Sequence, residues 1–298
     1  MTADYDRDLR GYGANPPDPK WPGGARIALN FVINVEEGSE MSVARGDRGP
    51  EPVDELGVSV RKPIRNFANE SNYLYGIKAG APRVMDLLEA HGLSATFTAA
   101  AVSLELAPDL AVRIREGEHE VCSHGYRWVH QFQMNETEER SFIEQAIASI
   151  ERTTGERPVG WLSRYLHTER TRSLLREYGF LYHMDDYSDD LPFFETIDGQ
   201  PMVVVPYALD SNDMKMWSDP AYTPRDWLRY AIDTFDWLYE EGRLRPKMMS
   251  LGLHLRVIGR PGRIGYLARF LEHVTRHPGV WIATRRAIAE HWRDRHAT

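Results

Sequence analysis

The chain has 298 residues, 42% of them apolar, and its 36 basic and 44 acidic side chains give a formal net charge of −8. That size suits one large α/β domain with a full core, while the acid excess and the lack of a basic patch argue against nucleic-acid or anionic-membrane partners. No apolar run nears the roughly 20 residues that span a bilayer, the single cysteine Cys122 excludes an intrachain disulfide, and the charged N-terminus lacks a secretory pattern, so a cytoplasmic location is expected.

Residues 1–25, rich in Pro, Gly and charge, read as an N-terminal arm, and residues 26–298 as one β/α domain. Arg26 to Val35 is a buried strand, being short, apolar and rich in branched residues. An irregular stretch of about 38 to 78 follows, long enough to suggest a functional loop. Pro82 opens a helix ending near Gly92. Ser94 to Ala100 is a strand, Pro108 to Gly117 a helix, and His119 to Ser123 a strand. Asn135 and Glu138 form a capping box that starts a long helix. Strands are expected at Pro158 to Ser163, Phe180 to Met184, Met202 to Val205, Met248 to His254 and Val280 to Ala283, with helices between, one of them capped at Thr223 and running to Gly242. Strict alternation predicts parallel strands with right-handed crossovers, and seven or eight units predict a barrel.

Side chains fit for chemistry fall at the C-terminal ends of these strands, the face on which β/α barrels build sites. They are Glu36 and Glu37, His124 and His130, Trp161 and Arg164, Asp185 and Asp186, Asp210 and Asp213, and His254. Carboxylates serve as a base or as metal ligands, and a histidine can donate a proton near neutral pH. Consecutive strand residues point to opposite faces, so Glu36 and Glu37 cannot both face a barrel interior while the strand continues. The six-residue spacing of His124 and His130 is weaker metal evidence than a compact pair. Trp128 and Trp161 could wall a small planar ligand, with core filling as the plainer alternative. Cys122 is expected in the packed interior. No nucleophile elbow or phosphate-cradling glycine loop is present.

The phrases FVINVEEG, HEVCSHGYRWVH and SLGLH resemble the acidic, histidine and C-terminal histidine motifs of the polysaccharide deacetylases. Longer phrases, among them ESNYLYGIKAGAPR, VVPYALDSND and PKMMSLGLHLRVIGRPGR, resemble the cofactor-independent, allantoinase-like branch, and together they cover about residues 9 to 290. The resemblance implies a distorted, incomplete (β/α)7 barrel. It also implies a hydrolase opening a cyclic amide such as allantoin, or a related hydantoin or imide ring, in purine catabolism, and a homo-oligomer, a tetramer in that branch. By position it makes Glu36 the acid usually assigned as base, Glu37 the acid that binds metal in classical members, His124 and His130 the histidine pair and His254 the last-motif histidine. The water proton would go to Glu36, Glu37 or one of the paired histidines, and His254 would protonate the leaving nitrogen. His124, His130, Trp128, Trp161, Arg164 and Asp186 are the substrate-binding candidates. Arg164 and loop N–H groups are the candidate oxyanion donors.

No cofactor is expected. The alternative is a zinc or other divalent metal held by Glu37, His124 and His130, as in metal-dependent N-deacetylases of acetylated sugars. Both acids are glutamates where metal-dependent relatives carry aspartates. The branch itself would have Tyr-Thr-Gly-Arg and Ser-Pro-Asn after Gly160–Trp161, where this chain has LSRYLHTER, and His183 and Met184 stand where acidic and small residues are expected. These loops are expected to line the pocket, so another cyclic or linear amide remains the rival substrate.

Overall fold

The computed structural model describes residues 9–58, 62–207, 209–218 and 220–296. The first eight residues of the expected arm lie outside that set. Residues 9–25 pack on the body: Tyr12 donates to the Pro192 carbonyl at 2.7 Å, and Trp21 is buried against Trp281, His291 and Trp292.

One sheet of nine strands organises the chain. The strands are β1 (Ile27–Val35), β2 (Thr96–Ala99), β3 (Glu120–Ser123), β4 (Gly160–Trp161), β5 (Tyr182–His183), β6 (Phe193–Ile197), β7 (Gln200–Val204), β8 (Lys247–His254) and β9 (Val280–Ile282). Their order is β6-β7-β5-β4-β3-β2-β1-β8, and β9 pairs with β1. β8 runs beside β1 from Ile27 to Asn34, so β9 and β2 share the other edge of β1, at Ile27–Leu29 and Val32–Val35 respectively.

The helices are α1 (Phe67–Tyr75), α2 (Ala81–Ala90), α3 (Ala101–Leu106), α4 (Pro108–Glu116), α5 (Glu136–Thr154), α6 (Thr171–Glu177), α7 (Pro224–Glu241), the single turn α8 (Leu255–Ile258), α9 (Pro261–Thr275) and α10 (Arg285–His296). The capping boxes at Asn135–Glu138 and Thr223–Asp226 both form.

Alternation in β1 fixes the layers. Ile27, Leu29, Phe31, Ile33 and Val35 join the core under the helices, with Leu251, Leu253 and Phe270. Ala28 and Val32 point the other way, into the curled sheet with Cys122, Tyr182, Val205 and Tyr207. By the same period Asn30, Asn34 and Glu36 face the interior, and Glu37 faces the helices.

Two expectations need correction. The strands are not all parallel, because β6 and β7 form an antiparallel hairpin. Its turn is Asp198–Gly199, both at positive φ, the Asp-Gly pattern that matches strand twist. The stretch 38 to 78 is not wholly irregular, since α1 lies within it, capped by Asn66 and continuing through a π-helical turn (Gly76–Gly80) into α2. α1 buries a polar Asn69 beside Tyr73, so it carries little apolar periodicity to read.

Among the described residues, no β8–β7 pairing closes the sheet. Arg285 bridges the seam, donating to the Val205 and Pro206 carbonyls on one side and to Ser250 Oγ at 2.6 Å on the other. The result is the incomplete barrel expected. Among the described residues, no helix is long and apolar enough to cross a membrane.

Candidate active site

At the C-terminal ends of β1, β3 and β8, Glu36, His124 and His254 converge, all buried. Glu36 Oε1 lies 3.5 Å from His254 Nε2 and 3.7 Å from His124 Nε2. Its other oxygen accepts from Arg256 Nη1 at 2.7 Å. Burial pushes the Glu36 carboxyl up, but Arg256, His254 and the imidazole contacts together outweigh it and hold the group well below the usual carboxylate range.

His254 has a second acid behind it. Its Nδ1 donates to Asp213 Oδ1 at 2.7 Å, and its backbone N–H donates to Asp213 Oδ2 at 2.8 Å. Asp213 sits at the start of a 3-10 turn (Asp213–Met216) capped by Asn212. Burial works against the imidazolium, yet Glu36 and Asp213 overcome it and raise His254 to about 10. His254 is therefore a cation at neutral pH, held between two carboxylates.

His124 is oriented differently. Its Nδ1 stands 2.7 Å from the Leu162 carbonyl, so that nitrogen carries the proton. Its Nε2 accepts from the Trp128 indole at 3.0 Å.

Tyr207, from the loop after β7, completes the cluster. Its hydroxyl oxygen accepts from Asn34 Nδ2 at 3.0 Å and from Asn212 Nδ2 at 3.1 Å. Two donors on the oxygen leave the hydroxyl proton for a further acceptor. A Cβ on Gly252 would lie 2.3 Å from this hydroxyl, so the glycine of SLGLH makes the room it needs.

These groups border a cavity of ≈ 30 Å³, about one water. Leu162, Ser163, Arg164 and Met214 also line it, with the exposed Tyr165, Tyr187 and Leu209 at its rim. A ring-sized ligand therefore requires the rim to move. A wider cleft of ≈ 1160 Å³ lies next to it along the open seam and shares Tyr187, Tyr207 and Leu209. The titratable cluster borders the small cavity, so the chemistry is assigned there.

The remaining sequence candidates fall elsewhere. Glu37 faces away from the cavity: its Oε2 accepts the Glu36 N–H at 3.0 Å, and a Cβ on Gly76 would meet its Oε1 at 2.1 Å. Burial raises Glu37 to about 7, only partly offset by Arg256. His130 turns to the Arg164 carbonyl at 2.8 Å. Trp161 is core, packed on Phe142 and Phe180. Asp186 accepts from the backbone N–H and hydroxyl of Ser188 in a surface turn. Arg164 borders the cavity; both of its terminal nitrogens donate to Glu51 and its guanidinium lies 3.7 Å from the Trp128 ring centroid, while its Nε has no hydrogen-bond partner.

The changed loops divide. Residues 162–165 line the cavity, whereas His183 bonds Glu195 at 3.0 Å and Met184 packs on Cys122, both inside the body. Asp213 stood among the strand-end acids without a role. Arg256, Tyr207, Asn34 and Asn212 were missed, and the one available signal was an Arg two residues past His254 in an apolar run.

A metal triad of Glu37, His124 and His130 is not assembled. His124 Nε2 already accepts an indole N–H, and Glu37 is on the far side of the strand. Among the described residues, the one group of three donors within 4.8 Å of one another is Asp236, His273 and His277, on outer helices. As arranged, Glu37, His124 and His130 do not fit a shared metal ion.

A buried cluster of carboxylates and imidazoles at the strand ends of an incomplete barrel defines a class, and comparison places the chain within it. The polysaccharide deacetylase profile matches residues 72–183. A Schizosaccharomyces pombe protein assigned by name to the polysaccharide deacetylases is 33% identical, over 97% of this chain and 98% of its own. A solved structure described as a probable polysaccharide deacetylase, from Pseudomonas aeruginosa PAO1, is 41% identical with TM-score 0.94, covering 99% of this chain and 100% of that one. The structure of Puue allantoinase is 43% identical with TM-score 0.95 and the same coverage. The chain belongs to the polysaccharide deacetylase family, a family of hydrolases acting on C–N bonds.

Proposed function

We propose that this chain opens a cyclic amide with water, and that the ring is allantoin or a related hydantoin or imide. The observation that carries the reading is the buried set Glu36–His254–Asp213 beside the Tyr207 hydroxyl, in a place where no metal triad assembles. The 43% identity to Puue allantoinase over 99% of the chain supports the choice of ring.

Each group has one task. Glu36 Oε1 accepts a proton from the attacking water as the C–O bond forms. Tyr207 donates its hydroxyl proton in a hydrogen bond to the carbonyl oxygen, where negative charge develops. His254 transfers its Nε2 proton to the ring nitrogen as the C–N bond breaks. Asp213 holds the imidazole in place through Nδ1. The two transfers assist one another: as His254 gives up its positive charge, the adjacent Glu36 carboxylate becomes the stronger base. The proton on Glu36 then returns across the 3.5 Å gap to His254.

The test is release of allantoate from allantoin by purified, chelator-treated protein. Steady turnover is expected without added metal. Turnover that appears only with zinc, and on an N-acetylated sugar instead, would replace this reading with metal-dependent deacetylation.

A further inference from the structure

We propose that Asp236, His273 and His277 form a binding site for a divalent transition-metal cation, zinc in class, which ties α7 to α9. One donor atom from each residue lies within 4.8 Å of the others. Asp236 comes from α7, His273 from the last turn of α9, and His277 from just beyond its end. None of these elements' residues belongs to the strand-end cluster, so this site stands apart from the reaction.

The geometry of His277 distinguishes a cation site from a simple ion pair. His273 Nε2 and Asp236 Oδ1 are 2.7 Å apart, which a helix-to-helix salt bridge would explain. That pair gives no reason for a second imidazole. His277 Nδ1 lies 2.9 Å from the His273 carbonyl, so Nδ1 bears the proton and Nε2 keeps the lone pair. Metal-bound imidazoles have this arrangement, with the second nitrogen fixed on a carbonyl or carboxylate.

The rings are also held in advance. Phe235 meets His273 and His277 edge-on at 5.8 and 5.2 Å, and Tyr239 meets His277 at 5.0 Å. Tyr239 is itself anchored by donating to the Pro278 carbonyl at 2.6 Å. The two imidazole centroids are 4.8 Å apart. Two imidazoles and one carboxylate suit zinc and its neighbours better than magnesium or calcium, which prefer all-oxygen shells. Asp236 is exposed, so a cation has an entry path and water can fill the fourth position.

Calorimetric titration of zinc into the chelator-stripped full chain tests the proposal. Wild type is compared with His273→Gln, His277→Gln and, as a control for zinc at the strand ends, His254→Gln. The expected result is one site whose affinity falls at least about tenfold in each outer-helix variant and is unchanged in His254→Gln. Zinc should raise the Tm of wild type and not of His277→Gln. Circular dichroism and Tm in chelator establish that each variant is folded, and the Gln replacements keep polarity and approximate size. Equal zinc affinity in wild type and both folded outer-helix variants, or no binding by wild type at micromolar zinc, overturns the proposal.

Discussion

Glu36 and Glu37 are neighbours in the chain, equally buried, and in opposite surroundings. On the cavity side, Glu36 meets Arg256 at 2.7 Å and the His254 imidazole at 3.5 Å, and it is held ionised. On the helix side, Glu37 has Arg256 at 3.9 Å, an Oε1 without a hydrogen-bond partner, and the bare Cα of Gly76 against it. The same carboxyl is lowered on one face of a strand and raised to about 7 on the other. Burial alone therefore does not set the protonation of an acid at a strand end. The nearest cation and the number of donors decide it. The contrast separates the faces: the cavity side keeps its carboxylate charged, and the helix side does not.

The largest expected effect lies on the cavity side. His254→Gln removes the proton donor and should lower kcat by about 10²–10⁴, and it should also lower the Tm at neutral pH, because the buried Glu36 and Asp213 carboxylates lose the cation between them. In wild type, an acid raised to about 10 predicts that turnover persists into the alkaline range and falls as pH passes about 10. A pH–rate profile that falls near 6.5 instead would show that His254 is not held by its two carboxylates and would erase the contrast with Glu37. Next comes Tyr207→Phe. It deletes the hydroxyl and leaves the Asn34 and Asn212 amides facing the gap, and kcat should drop by about 10² with KM nearly unchanged. A change confined to KM would make Tyr207 a binding residue and leave the oxyanion without its donor.

Much of this arrangement was legible in the sequence, for reasons tied to particular residues. β1 and β8 read correctly because they are continuous apolar strands, and their ends carry Glu36 and His254. The opposite facing of Glu36 and Glu37 followed from the two-residue period of a strand. The hairpin of β6 and β7 was missed although Asp198–Gly199 marks it. α1 was missed because it buries Asn69 instead of an apolar stripe. Tyr207 and Asn212 could not be read, and Arg256 showed only as an arginine in an apolar run, since their roles exist only through contacts made across the fold. Glu36 meets Arg256 from 220 residues away, and neither periodicity nor local spacing encodes such a pair. The ion pair of Arg164 with Glu51, 113 residues distant, was hidden for the same reason.

The smallest effect belongs to the helix side. Glu37→Gln should leave kcat within a few-fold of wild type, because the residue lies behind the strand and meets the cavity-lining Glu36 only through its backbone N–H, a bond the amide can keep. Its effect is on stability. An acid whose pKa rises on folding binds its proton more tightly in the folded chain, so the wild-type carboxyl costs nothing below about 4.5 and costs progressively more as pH climbs toward 7. The amide removes that cost. The stability gain of Glu37→Gln should be near zero at pH 4 and reach at most about 3 kcal/mol at pH 8, read as a Tm difference that widens with pH. Gln can keep the bond from the Glu36 N–H through its carbonyl oxygen, so a loss of stability at pH 8 would mean that Arg256 stabilises the Glu37 carboxylate by more than burial penalises it. In that event the guanidinium would serve both acids, and the two faces of the strand end would be one electrostatic unit.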